Sequence, residues 1–507
     1  MSAKKFTLAL IFWTVLFSAA MAQTLPQDLD YSYRSEVLLD AGCLWNFNSI
    51  YHPFEIGRQR YFKKEAKDLA AFSWLNDYIY EYINKSNQAP DTSKIGLNLI
   101  LLSGICMCQS WRSEDKFGRT AFQPYICTSA YFRNNWYSTV YLRAANDEKT
   151  VPHYSAVPRE ISRLGLNSGE VDQAVIGYKN DWARVEFGRS REIWGPMTEN
   201  NLVLSGYSPP YERLAAQLSL GKFKFRYFYG FMETVIDEDF INRYITGRSI
   251  QYSNNKNFIL GVSEVSVLAG PYRAIDWAFL NPLSTHLEND LNEHTLSDSA
   301  NYNNAIWAVY CDWMCHSNLR ISGSLAIDEL KLEWQERAQG EPDVMGYLAH
   351  ISWTPYRNPI GLTLIVNYTR LDTYFGQHIY KYANFVNRDE FLGHSIGNDA
   401  DKISAALRLV FKCSTLTELE FGRYRWGSNS LLENPYHTFT QCVTLPFPSG
   451  EKTEIRYLAL KLNSQFIRNL SVTFMGQINI SRHPEVNPYQ LWELNLRYQL
   501  PIYLIKL

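Results

Sequence analysis

The chain has 507 residues, and its 49 basic and 51 acidic residues leave a net charge of −2. Because the charges are interspersed, there is no basic stripe of the kind that binds phosphate backbones, and we expect no nucleic-acid partner. The 34 Tyr, 27 Phe and 14 Trp exceed ordinary globular usage and are typical of the aromatic girdles of membrane barrels.

Residues 1–22 predict a signal peptide. Lys4 and Lys5 precede an apolar run from Phe6 to Ala20, and Ala20 and Ala22 form a small-x-small cleavage site. The apolar run is too short to span a bilayer. The chain is therefore expected to be exported and cleaved after residue 22.

Residues 23–94 predict a small helical domain. Between Phe54 and Ile83, apolar residues recur at spacings of three and four, which is the period of an amphipathic helix. Pro90 and its polar neighbours provide a stop. We expect this domain on the periplasmic side, where it would plug the barrel mouth or bind a periplasmic or outer-membrane export partner. The alternative is a solvated linker helix.

Residues 95–507 predict a β-barrel. Phe223, Phe225 and Tyr227 alternate with Lys224 and Arg226, and a period of two indicates an extended strand. About 410 residues at roughly 23 per strand and turn give about 18 strands, and the number should be even. The fold class is thus an all-β, transmembrane, antiparallel barrel in the outer membrane of a Gram-negative-type bacterium. The clearest strands are 121–131, 136–144, 182–189, 222–232, 258–268, 319–334, 346–354, 360–370, 403–412, 415–425, 453–463, 470–480 and 491–504.

The strand faces predict a polar lumen. Ile403, Leu407 and Leu409 share one face, whereas Ser404 and Arg408 share the other. Apolar side chains face lipid in such barrels, so the charges are expected inside. The long polar stretches 145–172, 286–305, 371–400 and 426–450 are predicted to be external loops.

Eight cysteines stand at 43, 106, 108, 127, 311, 315, 413 and 442. They could pair in an oxidising periplasm, but the sequence leaves their connectivity open. The run from Cys311 to Cys315 and His316 differs from the Cys-x-x-Cys-His spacing of haem attachment, and zinc would need a second pair of ligands. We expect no metal and no cofactor.

The most distinctive block of the sequence contains Gly188, Arg189, Trp194, Gly195 and Pro196. With the segments 279–282 and 324–330, it resembles the Wzi family of outer-membrane capsule-assembly proteins. We interpret the five residues as structural. In particular, Arg189 is expected to lie in the lumen and to pair with a carboxylate such as that of residue 186 or 192.

The resemblance implies a lectin-like barrel that holds exported capsular or extracellular polysaccharide at the cell surface, with outer-membrane lipid around it. Aromatic rings stack on sugar faces, and planar polar groups make paired hydrogen bonds with hydroxyls. Polar and aromatic residues of two long loops are therefore the candidate glycan contacts, namely His286, Glu288, Asp290, Asn292, Tyr302, Tyr374, Tyr380, Tyr382, Asn398 and Asp399.

Catalysis is not expected. Residues 393–397 match Gly-x-Ser-x-Gly, but a nucleophile elbow needs a strand before it and a helix after it, and a strand is predicted to follow here. An outer-membrane lipase remains one alternative, since serine and histidine side chains on neighbouring strands could meet. A porin or saccharide channel is the main alternative, because a polar lumen would serve it equally well. The identity of the glycan and any role of Ca²⁺ stay open.

Overall fold

The computed structural model describes the barrel and parts of the N-terminal region. The described residues are 31–41, 44–45, 51–52, 60–61, 71–72, 74, 97–113, 118–132, 135–151, 154–160, 162–198, 200–237, 239–292, 302–331, 342–432, 443–467, 469–481, 490–500 and 503–506. The predicted signal peptide at 1–22 lies outside them, as does most of the predicted helical domain at 23–94.

Twenty strand segments form one closed sheet in which neighbouring strands run antiparallel. In chain order these are β4 (Leu97–Arg112), β5 (Arg119–Phe132), β6 (Trp136–Ala145), β7 (Ser168–Lys179), β8 (Ala183–Ser190), β10 (Tyr211–Leu220), β11 (Phe223–Phe231), β12 (Val235–Ile236), β13 (Phe240–Ser253), β14 (Phe258–Pro271), β15 (Tyr302–His316), β16 (Leu319–Glu329), β17 (Val344–Tyr356), β18 (Gly361–Leu371), β21 (Ala400–Phe411), β22 (Thr415–Trp426), β23 (Thr453–Ile467), β24 (Leu470–Ser481), β25 (Gln490–Gln499) and β26 (Tyr503–Lys506).

Two of the twenty segments are short extensions. β12 pairs with the part of β13 that β11 does not reach, and β26 pairs with the same β4 as β25. Twenty minus two leaves eighteen barrel strands in the part of the chain that the structure describes. The predicted all-β barrel, its size and its even strand number are confirmed.

The alternation predicted from the sequence sets the two faces of the wall. On β21, Ile403 is 45% exposed on the outside, whereas Ser404 and Arg408 are buried inside. On β11, Phe223 faces out and Lys224 faces in. A one-residue shift in pairing would exchange the faces, so the two-residue pattern also fixes the register.

The connections divide the barrel into two unlike ends. At one end, 180–182, 221–222, 254–257, 317–318 and 412–414 are short turns; at the other end, 146–167, 191–210, 272–301, 372–399 and 427–452 are long loops. Short turns face the periplasm and long loops face outward in outer-membrane barrels. The predicted loops are nearly right, although 168–172 belong to β7 and 302–305 belong to β15.

Few helices are present among the described residues. They are α1 (Tyr31–Asp40), α2 (Trp277–Leu280), α3 (His286–Leu291) and the 3-10 turns Glu148–Thr150 and Lys381–Ala383. Small sheets pair β1 (Leu44–Trp45) with β3 (Arg60–Tyr61), β2 (Tyr51–His52) with β9 (Ile193–Trp194), and β19 (Val386–Asn387) with β20 (Glu390–Phe391).

Among the described residues, no helix combines the length and the apolar character needed to cross a membrane.

The described part of the N-terminal region lies against the inside of the wall. The ring of Phe72 fills the space beside Gly361, where an added Cβ would lie 2.4 Å from it. Arg357, in the turn before β18, donates a hydrogen bond to the carbonyl of Ala41. These contacts place the segment at the short-turn end. The wider helical domain at 23–94 stays a prediction.

Candidate functional site

The lumen is crossed by α1, whose last residue is the centre of an ionic cluster. Asp40 is fully buried, and its carboxylate lies 2.9 Å from each of Arg320, His350 and Arg408 on three barrel strands. Although burial opposes ionisation, His350, Arg408 and Arg320 hold the pKa of Asp40 well below its usual range. An ionised Asp40 therefore anchors α1 to the wall.

Glu36, one turn before Asp40, connects α1 to the loop after β8. Its carboxylate lies 2.6 Å from Nη1 of Arg320 and accepts a hydrogen bond from the amide of Thr198. Glu36, Asp40 and His350 could together offer metal ligands. Two arginine cations already face these carboxylates, so ion pairs account for the cluster without a metal.

The distinctive block around Trp194 lies in the loop after β8, at the long-loop end of the barrel. Trp194 is fully buried and donates a hydrogen bond to Glu192 at 2.8 Å. Gly195 has a φ of +142° and an added Cβ would lie 2.2 Å from Asn201, so only glycine fits there. The carbonyl of Pro196 accepts a hydrogen bond from Arg320. These contacts shape the loop, and the structural role expected for the whole block stays a prediction.

The expectation for Arg189 is wrong in its location. Arg189 alternates with inward Gly188, faces the outside of the barrel and pairs with Glu212 at 2.8 Å. Glu192 pairs instead with Arg213 and Arg226, at 3.0 and 2.5 Å. The reason is parity, because an odd-numbered residue of β8 points away from the lumen.

Gly188 has its own reason to be glycine. Its φ is +126°, and an added Cβ would lie 2.1 Å from the carbonyl oxygen of Ala174 on β7. A side chain there would disrupt the pairing of β7 with β8.

Three of the predicted glycan contacts meet at the barrel mouth and are called here the tyrosine platform: Tyr302, Tyr380 and Tyr382. The rings of Tyr302 and Tyr380 stack with centroids 4.4 Å apart at 27°. Tyr382 meets Tyr380 edge-on at 5.1 Å. Tyr302 begins β15 and the other two lie in the loop after β18, so the fold brings together two loops that are far apart in sequence.

Two arginines hold the platform in place. Arg243, buried on β13, donates hydrogen bonds to the carbonyls of Tyr382, Asn384 and Val386, at 2.7, 3.1 and 2.6 Å. Arg273 donates to the carbonyl of Tyr302 at 3.0 Å. Guanidinium groups hold several acceptors at once in a fixed geometry, which makes the ring positions well defined.

Polar groups surround the platform. Asp237 accepts a hydrogen bond from the hydroxyl of Tyr382, and its carboxylate lies 3.8 Å from Lys381. His378 lies 5.8 Å from Tyr302, between ring centroids. Burial, and then His286, lower the pKa of His378 to about 4, so its ring is neutral at neutral pH. The platform offers ring faces together with donors and acceptors of both kinds.

The sequence did not single out Asp237, His378 or Lys381. Asp237 lies in the connection between β11 and β13, which is too short to be recognised as a binding loop. His378 and Lys381 flank the predicted tyrosines in the 371–400 loop, so their proximity in sequence is the signal that could have found them.

Three other candidates fasten loops to one another. Asp399 is fully buried and accepts hydrogen bonds from Thr373 and from the amide and hydroxyl of Ser449. Asn398 donates to the carbonyl of Thr373 and accepts from the amide of Leu431. Tyr374 is also buried, and its hydroxyl donates to the carbonyl of residue 443. Their direct contact with a glycan stays a prediction.

The remaining candidates lie on or beside α3. The amide of His286 donates to Glu264 on β14, and the carboxylate of Glu288 accepts a hydrogen bond from the hydroxyl of Ser284. Asn292 is exposed just after α3, and Asp290 is within α3. For these residues too, glycan contact stays a prediction.

The Gly-x-Ser-x-Gly match does not have the form of a nucleophile elbow. Residues 393–397 form a loop that leads into β21, and an added Cβ at Gly393 would lie 2.0 Å from the carbonyl oxygen of Leu202. His394 lies 3.4 Å from Thr369, and its Nδ1 accepts from the amide of Ile396. The elbow geometry of strand, sharp turn and helix is not formed here.

Comparison with solved structures finds this fold in Wzi, described as an outer membrane protein involved in group 1 capsule assembly in Escherichia coli and as a carbohydrate-binding β-barrel. The TM-score is 0.60 at 12% sequence identity, covering 94% of this chain and 99% of that chain. The fold likeness to Wzi that the sequence indicated is confirmed.

Two barrels from Pseudomonas aeruginosa are less similar. The outer membrane protein OpdK has a TM-score of 0.44 at 10% identity, covering 81% of this chain and 100% of its own, and OccD3 has 0.45 at 8%, covering 82% and 95%. No protein-family model and no curated protein sequence matches the chain.

Proposed function

We propose that this protein is an outer-membrane barrel that binds capsular or extracellular polysaccharide at the cell surface without catalysing a reaction on it. The observation that carries the proposal is the tyrosine platform at the long-loop end. Sugar rings present apolar faces that stack on aromatic side chains, and their hydroxyls require donors and acceptors at the edges. The platform supplies the aromatic rings, and the polar residues around it supply the donors and acceptors.

The arrangement of the platform suits a polymer better than a small permeant solute. Lys381 and Asp237 are about half exposed, at 56% and 53% of their side chains, so the platform is approached from outside. A long chain can cross such an open surface in either direction. The fold likeness supports the proposal, since Wzi is described as a carbohydrate-binding barrel.

A porin or saccharide channel is the competing function. Against it stand two segments inside the barrel: α1 meets three barrel strands at Asp40, and the loop that contains Trp194 packs on the wall. Open channels need a continuous aqueous path, and buried ion pairs with these short contacts are not readily displaced. We therefore propose a closed lumen.

A glycan array with detergent-purified protein tests this function. The variant Tyr380→Ala removes the middle ring of the platform, and Tyr347→Ala, which removes an exposed tyrosine of the outer wall, is its matched control. Removing a stacked ring is expected to weaken binding by about tenfold, or about 1.4 kcal/mol. No binding by the parent protein, or equal binding by both variants, would refute the proposal.

A further inference from the structure

The loop between β14 and β15 descends over the outside of the barrel. In the register of β11 and β13, Tyr227 lies opposite Arg248, and in that of β13 and β14, Arg248 lies opposite Glu264. Glu264 lies in turn opposite the exposed Trp307 of β15. Directly opposed residues point to the same face, so Arg248 and Glu264 lie on the outer face of the wall.

Both charged residues are covered by that loop. Arg248 donates hydrogen bonds to the carbonyls of Phe279 and Asn281, at 3.1 and 3.4 Å, and the amide of His286 donates to Glu264. Tyr227 donates to the carbonyl of Phe279. An uncovered charge on a lipid-facing wall is costly, so this loop is needed to shield the pair.

Beside the covered pair, the loop leaves a cavity of about 550 Å³ on the outer face of the wall. Its walls are mainly apolar side chains of the outer face and of the loop, among them Leu218, Phe225, Ile250, Val262, Leu283 and Trp307. Several of these also belong to the exposed apolar surface of the barrel. The cavity is therefore continuous with the surface that faces lipid, and its size is that of a ligand pocket rather than a packing void.

Polar groups line this mainly apolar space at a few points, among them Arg248, Glu264, Ser263 and Thr285. Arg248 is 92% buried, and among the described residues its Nη1 donates no hydrogen bond, with Glu264 at 3.6 Å. A buried guanidinium nitrogen calls for an oxygen acceptor. The cavity thus combines a mainly apolar lining with a hydrogen-bond donor, Nη1 of Arg248.

We propose that this cavity holds one acyl chain of a membrane lipid in the leaflet on the long-loop side, with an ester or headgroup oxygen accepting from Nη1 of Arg248. Lipid tails are as apolar as the lining side chains. The acyl chain is therefore bound by close van der Waals contact rather than by the hydrophobic effect. The bound chain completes the packing between loop and wall.

Photo-crosslinking in proteoliposomes tests the site. The probe is a phosphatidylethanolamine with a diazirine on its acyl chain, and crosslinked peptides are mapped by mass spectrometry. In the parent protein, the loop peptide that contains Leu283 is expected to be labelled. Val262→Trp fills the cavity from the wall and should lower that labelling by at least about fivefold. Leu364→Trp, at an outward position of β18 that does not line the cavity, should leave it unchanged.

Leu218→Trp fills the cavity from β10 and gives the same prediction if Val262→Trp does not fold, as judged by heat-modifiable gel mobility. Labelling confined to the strands, with the loop unlabelled, would overturn the proposal, because it would show that the acyl chain does not enter the cavity. Equal loop labelling in all three variants would overturn it as well.

Discussion

Nη1 of Arg320 lies 2.9 Å from the carboxylate of Asp40, although the two residues are 280 positions apart. Arg320 belongs to the barrel wall and Asp40 ends the helix that crosses the lumen, so this ion pair joins the two parts of the molecule. Both side chains are fully buried. Removing either partner would deprive the other of one of its buried counter-charges.

Asp40→Asn is expected to destabilise the barrel by about 3 kcal/mol, because Arg320 and Arg408 both lose a buried counter-charge. The midpoint of urea unfolding in detergent measures this effect. Lys381→Ala, which removes an exposed lysine at the mouth, is the control and should change the midpoint little. A midpoint for Asp40→Asn equal to that of the parent would contradict the anchoring role.

The contribution of Asp40 should also depend on pH in one direction. Its pKa in the folded protein is below the ordinary value of 3.8, so its stabilising effect is fully present above that value and declines as the pH falls below it. The difference in unfolding midpoint between the parent and Asp40→Asn should therefore shrink as the pH falls from about 5 to about 2. A difference that grows in acid would have the wrong sign.

Arg243→Ala should loosen the tyrosine platform without touching a ring. It removes three hydrogen bonds to the loop backbone, each worth about 1 kcal/mol or more from a charged donor. We expect glycan affinity to fall by about tenfold and proteolysis of the loop around Tyr382 to become faster. Arg243→Lys should restore little, since one ammonium cannot span the three acceptors. Full affinity in Arg243→Ala would exclude this positioning role.

Glycan binding should not follow the titration of a histidine at the mouth. The pKa of His378 is about 4, so its ring stays neutral between about pH 5.5 and 8. Binding titrations at these two pH values are expected to give the same affinity for the parent and for His378→Gln. A higher affinity at pH 5.5 than at pH 8 that disappears in His378→Gln would show that the ring gains a proton in the complex.

Planar-bilayer recordings test the closed lumen. The parent protein is expected to give no large, stable current, because α1 and the loop after β8 lie inside the barrel, where both are bound by Arg320. Asp40→Asn, which weakens the anchor of α1, should raise the frequency of brief openings. Large, steady currents from the parent protein would favour a porin or saccharide channel instead.

The sequence predicts the barrel well because a membrane imposes a two-residue alternation on each strand. Ile403 and Arg408 take the faces expected of them for that reason alone. Arg248 and Glu264 break the rule, since they are charged and yet face outward. Only the covering loop makes this tolerable, and the path of a loop is not encoded in strand periodicity.

The candidate site is predictable in part. Tyrosines in long loops are recognisable as sugar-stacking residues, which is how Tyr302, Tyr380 and Tyr382 were found. Their convergence is not recognisable, because it depends on Arg243 holding backbone carbonyls more than 130 positions away. The contacts by which Asn398 and Asp399 fasten loops are not recognisable for the same reason, since a carboxylate or amide in a loop can equally well bind the backbone of a neighbouring loop.

The most direct test of polysaccharide binding is surface retention in the native bacterium. In a strain that carries Tyr302→Ala and Tyr380→Ala together, total polymer should be unchanged while polymer shifts from the cell surface into the medium. A Tyr347→Ala strain with the same barrel level should retain its polymer. Unchanged retention in the double variant, or loss of polymer synthesis itself, would contradict the proposed function.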